Sequence, residues 1–340
     1  MSGNSNSPFI APPIIKRFSH AAAGHEGVLR DESGALLIKP CLPKEVDFYQ
    51  AAVSHPEFAK WMPTFMGTLQ LNSQTTASLG DKPGVPPVPA IAPALPSSDQ
   101  GETSTRSDAT TKKPLEISIV LSNLTYGFAK PCVLDVKLGA QLWDDEAPLE
   151  KRARLDEVSD KTTSRSLGMR IAGMKVWKGE NKEYQIYDKN YGRQFTADNA
   201  VDGFKEFLFS GKLSEEQSKF IAKRFADKVA AIQAVLENQE SRMYSASLLF
   251  VYEGDIDALD QALQIEKEKD PSKGTLAEGE DDGDEDEDEE DDDESKPPPK
   301  KIEDLKIIDF AHATWTPGQG PDLNALHGVK SVLPLFRQLS

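Results

Sequence analysis

Cysteine is scarce in this chain. Only Cys41 and Cys132 occur among 340 residues. Two cysteines cannot build a disulfide framework or a cysteine-rich zinc site, and they fit a reducing compartment. Long apolar runs are missing too. None approaches the roughly 20 residues needed to span a bilayer, so no membrane span is expected. The opening stretch, MSGNSNSPFIAPPIIKRF, lacks a basic region followed by an apolar core, so it does not read as a secretory signal. The five histidines show no metal-ligand spacing, and no Ser-His-Asp or Cys-His pattern and no internal repeat emerges. The expectation is a soluble, intracellular protein.

Positive charge is also in short supply: 39 Lys and Arg stand against 56 Asp and Glu, a formal net charge of −17. The imbalance is local. Residues 280–294, EDDGDEDEDEEDDDE, hold fourteen acids and no base, so the rest of the chain is near neutral. Such a run repels itself and has no apolar surface to bury. It reads as a disordered insertion, about 272–301, closing on KPPPKK. A second insertion, about 80–111, begins with GDKPGVPPVPAIAPALPSS and its six prolines, which disfavour regular structure. Residues 1–19 read as a flexible leader.

Three ordered blocks remain, about 20–72, 114–271 and 302–340. The patterning predicts short strands at 34–40, 115–124, 166–177, 245–254 and 305–313. It predicts a helix over 43–55, with Val46, Tyr49 and Val53 on one face, and a helix start at 255. The clearest helix spans 214–239: Ser214 and Gln217 stand in capping-box positions, and Ile221, Phe225, Val229, Ile232 and Leu236 recur at helical spacing. Strands and helices in mixed order indicate an α+β fold.

Four places could carry chemistry. Lys39 ends a strand and Glu45 lies just inside the following helix. Alone, they read best as a snorkelling lysine and an exposed glutamate; the functional alternative is a phosphate-binding lysine held by a helix glutamate. Asp309 follows two isoleucines in KIIDFAHA and is either a turn residue or a magnesium ligand, since Mg²⁺ takes one or two carboxylates plus phosphate oxygens. In PCVLDVKLG, Asp135 and Lys137 share one strand face while Leu134, Val136 and Leu138 make the other wholly apolar. The pair is either an internal ion pair, or a hydroxyl-orienting carboxylate beside a lysine that neutralises a transferring phosphoryl group. Residues 151–178 hold eight bases against three acids, an island in an otherwise acidic protein. It is either a solvated helix face, with Pro148 in the first turn, or a polyanion pocket. Apart from Trp177 it lacks the aromatics of a nucleic-acid surface, so a small, multiply phosphorylated ligand fits better and no direct nucleic-acid contact is expected.

Taken together, these motifs resemble the inositol polyphosphate kinases. The family pattern Pro-x-x-x-Asp-x-Lys-x-Gly is matched at Pro131, Asp135, Lys137 and Gly139. SLLFVYEG (247–254), IIDFAHA, LLIKP…KEVDFY and DLNALHGVKSVL (322–333) match further segments in the family's order. Within the family the chain is most similar to fungal multikinases, its short basic helix standing where trisphosphate 3-kinases carry a larger insertion. The resemblance implies a two-lobed, protein-kinase-like α+β fold with ATP between an N-lobe (20–124) and a C-lobe (125–340). It implies an ATP- and Mg²⁺-dependent kinase that converts inositol 1,4,5-trisphosphate to tetrakis- and pentakisphosphate. Lys39 and Glu45 would serve the ATP phosphates, Ser122 to Leu124 the adenine, Asp309 and Ser247 the metal, and Asp135 and Lys137 the transfer. Lys151, Arg152, Arg154, Lys161 and His312 would hold the substrate. The alternatives are a trisphosphate 3-kinase or hexakisphosphate kinase of the same family, or a transcription-complex scaffold whose segment 280–294 recruits transcription-factor partners. A nuclear and cytoplasmic location is expected.

Overall fold

A computed structural model describes residues 16–17, 27–70, 117–179, 182–269 and 300–340. The proline-rich and acidic insertions (300 and 301 excepted) and most of the leader lie outside the described residues.

The first part of the chain forms β1 (Lys16–Arg17), β2 (Leu29–Arg30), β3 (Leu36–Pro40), α1 (Pro43–Ala51), α2 (Pro56–Ala59), β4 (Phe65–Gln70) and β5 (Ile117–Ser122). These strands make one antiparallel sheet in the order β1-β2-β3-β5-β4. The second part begins with β6 (Pro131–Leu138), α3 (Leu149–Asp160), α4 (Thr163–Leu167), β7 (Met169–Trp177), β8 (Tyr184–Tyr187) and α5 (Lys189–Gly192). It continues through α6 (Ala200–Phe209), α7 (Glu215–Glu237), β9 (Ser241–Met243), β10 (Ser247–Glu253), α8 (Ile256–Lys269), β11 (Glu303–Ile308), β12 (Ala313–Trp315) and α9 (Leu323–Leu339). Its five-stranded sheet runs β11-β10-β6-β7-β8, all pairs antiparallel, and β12 pairs with β9 alone. The fold is two-lobed α+β.

The strand β6 explains how the second sheet is seated. Cys132, Leu134, Val136 and Leu138 point into the main core, where Phe225, Val229, Ile232, Phe204 and Phe336 from α6, α7 and α9 are also buried. The other face starts with Val133, which packs with Leu124 and Val251, and then turns polar at Asp135 and Lys137. One strand thus separates core from cleft by the period-two alternation of its side chains. The helix α7 holds the core side in place. Ser214 accepts from the Gln217 N–H and the Gln217 side chain accepts from the Ser214 N–H, so the capping box is formed at both ends. All five of its spaced apolar residues are buried.

Three expectations shift. Val53 is 85% exposed, because the chain tightens to a 3₁₀ turn at Ala52–Ser54 and rotates that position outward; Phe48 and Ala52 are buried instead. The strand expected from 166 begins at Met169, since Thr163–Leu167 is a short helix ended by Gly168 at φ +62°. The strand expected over 305–313 divides in two at Asp309, whose φ is +68°.

Candidate active site

Asp309 is the meeting point. It leaves the end of β11 in the left-handed region, which Asp enters more readily than most residues because its short polar side chain can hydrogen-bond locally. Its two oxygens face two lysines from different lobes. Lys39 Nζ lies 2.9 Å from Asp309 Oδ1, and Lys137 Nζ lies 3.3 Å from Oδ2. Lys39 also donates to Glu45 Oε1 at 2.9 Å. Glu45 reaches it because Pro43 starts α1 at its first turn, where the lost N–H costs nothing, and places Glu45 facing inward, 1% exposed. Burial works against the Lys39 charge, but Asp309 and Glu45 outweigh it and raise the ammonium above its ordinary value. Lys137 completes the group by donating to Ser247 Oγ at 3.1 Å and to the Ser245 carbonyl at 3.2 Å. The antiparallel register of β6 and β10 pairs Lys137 with Ser247, which explains the contact.

Asp135 and Lys137 share a face as their spacing predicts, yet Lys137 is engaged with Asp309 and Ser247. Asp135 lies deeper, 3% exposed, beside Leu249 of β10 and Gly173 of β7. A bulge in β7 between these registers brings Arg170 opposite Lys137. Burial pushes the Arg170 guanidinium down to about 10, against the favourable pull of the Asp135 carboxylate. Arg170 also donates to Ser164 Oγ at 2.9 Å. Sequence reading counted Arg170 among the basic island without giving it a place in the site. Its signal lay in its strand position, which requires the bulge to be known.

After β6 the chain turns at Gly139, with φ +96°. A Cβ there would stand 2.4 Å from the Asn324 side chain, so only glycine fits. Asn324 Oδ1 accepts from the N–H groups of Ala140 and Gln141, and its amide donates to the Gln141 carbonyl, each at 2.9 Å. Asp322 caps α9 and holds Asn324 in place, accepting from the N–H groups of Asn324, Ala325 and Met243. Ser245 Oγ donates to the Leu142 carbonyl, and Trp143 Nε1 to Asp156. The loop is therefore fixed from three sides before it reaches α3.

The substrate candidates separate here. His312 Nδ1 lies 2.7 Å from Asp144 Oδ2, and Lys151 contributes to the positive field on the same carboxylate. Arg152 lies across the Trp143 ring and donates to the Asp145 and Ala147 carbonyls, so its guanidinium braces the loop. Arg154 is exposed. Lys161 is exposed and pairs with Glu157 one turn back on α3. At the other end of the cleft, Ser122 N–H donates to the Thr64 carbonyl and Asn123 N–H to that of Ala35, so both are engaged within the first sheet. Leu124 is buried beside Val133, Val251, Phe128 and Leu249, on the apolar continuation of the face that carries Asp135.

Lys39, Glu45, Lys137, Asp309 and His312 line a single open cleft of about 440 Å³, together with Tyr244, Ser245 and the Pro40–Leu42 edge. Two lysines, one glutamate, one aspartate and a hydroxyl at this spacing can neutralise a polyphosphate and hold a hard cation.

Comparison with known proteins agrees with this geometry. The family described as inositol polyphosphate kinase matches residues 118–337. The chain is 34% identical to the inositol polyphosphate multikinase of Saccharomyces cerevisiae, over 93% of this chain and 96% of that protein. It is 32% identical to that of Schizosaccharomyces pombe, over 96% and 98%. Among solved structures it is similar to the inositol phosphate multikinase Ipk2 of S. cerevisiae in complex with ADP and Mn²⁺, with a TM-score of 0.62 and 29% identity over 90% of this chain and 99% of that one. A cleft fit for polyphosphate, the full order of motifs and relatives matched nearly end to end lead to one assignment: the chain belongs to the inositol polyphosphate kinase family.

Proposed function

We propose that the protein is an inositol polyphosphate multikinase, which transfers the γ-phosphoryl group of ATP to hydroxyls of inositol 1,4,5-trisphosphate and then of its product. The convergence of Lys39 and Lys137 on Asp309 from two lobes carries the reading. Phosphoryl transfer needs positioning and charge neutralisation more than covalent help, and this group offers both.

ATP would lie between the lobes. Its base would meet the backbone at Leu124 and the half-buried apolar side chains of Leu249 and Ile308, since the N–H groups of Ser122 and Asn123 are engaged elsewhere. Lys39, held by Glu45, would contact the phosphates. Mg²⁺ is the metal the donors suit. Among the described residues no cluster of three or more metal-binding side chains exists, so these residues build no all-protein cage. One carboxylate, Asp309, with the Ser247 hydroxyl behind Lys137, fits an ion that keeps waters and takes most of its ligands from phosphate. When bound, the metal would neutralise charge on the β- and γ-phosphates.

Asp135 would orient the attacking hydroxyl and take its proton. Lys137, released toward the γ-phosphate, would offset the charge that develops during transfer. Lys151 and His312 would hold substrate phosphates on the Asp144 side of the cleft, with Arg154 and Lys161 on the outer face of the basic helix. Arg152 would act by bracing that helix. The test is direct. Purified protein with ATP, Mg²⁺ and inositol 1,4,5-trisphosphate should give tetrakis- and pentakisphosphate by anion-exchange analysis; unchanged trisphosphate would overturn the proposal.

A further inference from the structure

Three basic side chains from three separate elements act on Asp144. His312 Nδ1, from the segment after Asp309, lies 2.7 Å from Oδ2. Lys44 Nζ, from the first turn of α1, lies 3.9 Å from the same oxygen and 3.4 Å from Glu146. Lys151, from the first turn of α3, adds its field. Burial alone would raise the Asp144 carboxyl; the hydrogen bond and charge of His312, then Lys44 and Lys151, reverse that and hold it below its ordinary value. Asp144 is therefore a carboxylate at neutral pH and can only accept, so His312 must present its Nδ1–H to it. With that nitrogen committed, Nε2 is the one left for the cleft, which His312 lines.

Asp144 is itself well held. Its neighbours on the loop are tied by Ser245 to Leu142, by Asp156 to Trp143 and by Arg152 to Asp145. A carboxylate fixed in this way sets both ring orientation and proton placement on its imidazole, as a structural partner does for metal-bound or catalytic histidines.

The geometry points to Asp144 as a positioning residue for substrate: it fixes His312 with Nε2 turned to the cleft, and it gathers Lys44 and Lys151 around the site where a phosphate group of the inositol ring is received. The inference rests on the proposed inositol phosphate kinase reaction for its kinetic consequence. The placement of the His312 proton stands apart from that reaction.

The experiment therefore has two arms, both on the full chain. In the first, long-range ¹H–¹⁵N spectra of histidine-labelled protein report the His312 nitrogens, assigned with His312→Gln. The expected result is a protonated Nδ1 in the wild type that is lost or exchanges in Asp144→Asn. A His312 spectrum unchanged by Asp144→Asn would overturn the inference, whatever the enzyme does. In the second arm, Asp144→Asn should raise KM for inositol 1,4,5-trisphosphate at least tenfold and leave KM for ATP within about twofold. In a His312→Gln background the same substitution should have a much smaller effect, because interacting residues are not additive. Asp144→Glu should recover part of the loss. Equal effects in both backgrounds, or parallel rises in both KM values, would assign Asp144 a general structural role and overturn the inference. If no variant and no wild type turns over the trisphosphate while the first arm succeeds, the function proposal fails and the positioning of His312 stands.

Discussion

At the scale of single residues, the site is a set of opposed charges that the backbone forces together. Asp309 has φ +68° and accepts two lysines, so its carboxylate is balanced before any ligand arrives. Lys137 differs from Lys39 in what holds it. Lys39 is anchored by the buried Glu45, whereas Lys137 has a hydroxyl and a carbonyl as its further partners, both neutral. Neutral partners release an ammonium more readily than a carboxylate does. Lys137 is thus the lysine able to follow charge as it moves during transfer. Lys137→Met keeps the stem of the side chain and removes the charge. It should lower kcat by roughly 10²- to 10³-fold, in line with the loss of one preorganised electrostatic donor, with KM for ATP changed much less. Steady-state kinetics at saturating trisphosphate checks this. A rise in KM for ATP with kcat intact would make Lys137 a ground-state phosphate ligand like Lys39.

At the scale of elements, α1 and α9 serve the site through their first turns. The start of α1 presents Glu45, and the start of α9 presents Asn324 to the loop after Gly139. The helix α7 supports the core beneath β6, away from the cleft, and its own start is a capping box. Ser214→Ala should cost about 1 kcal/mol, the usual value of such a cap, and leave kcat and KM unaltered. Denaturant unfolding beside a kinetic assay checks both halves; a stability loss accompanied by lost activity would tie α7 to the site. This helix shows what the sequence makes legible. Its cap, its spaced apolar face and its end follow local rules, and the structure reproduces them. The alternation on β6 was legible for the same reason, as was the shared face of Asp135 and Lys137. What stayed hidden depends on pairing between distant segments. Nothing local marks the bulge that brings Arg170 opposite Lys137, or the 3₁₀ turn that turns Val53 to solvent. The charge of Arg152 and Lys161 was visible, but not that Trp143 and loop carbonyls engage the first, and Glu157 the second. Asp144 lies in WDDE, where three consecutive acids look alike until His312 selects one.

At the scale of the whole molecule, the two lobes are fastened by more than the cleft charges. Phe48 of α1 stacks on Trp315 at 4.5 Å and on Phe310 at 4.8 Å between ring centres. Tyr49 and Phe58 meet Phe310 edge-on, and His55 stacks on Trp315 at 3.7 Å. The backbone joins as well: Ile307 N–H donates to the Trp61 carbonyl at 2.6 Å, beside Lys306 Nζ on the Lys60 carbonyl. The helix that carries Glu45 is therefore packed against the segment that carries Asp309. In a fold where that helix could swing, the Lys39–Glu45 pair would act as a switch; here the pair is assembled by the same aromatic cluster that joins the lobes. Two consequences can be measured together. Heat unfolding of the full chain should be a single calorimetric transition, because neither lobe can open this cluster without exposing fully buried Phe58 and Phe310. Phe310→Ala should cost about 3–5 kcal/mol, which at roughly 2–4 °C per kcal/mol for a chain of this class lowers Tm by about 6–20 °C. The loss should appear in that one transition. Two resolved transitions in the wild type, or a Phe310→Ala protein in which only part of the heat moves to lower temperature, would mean that the lobes fold separately and that the helix carrying Glu45 is free to leave Lys39.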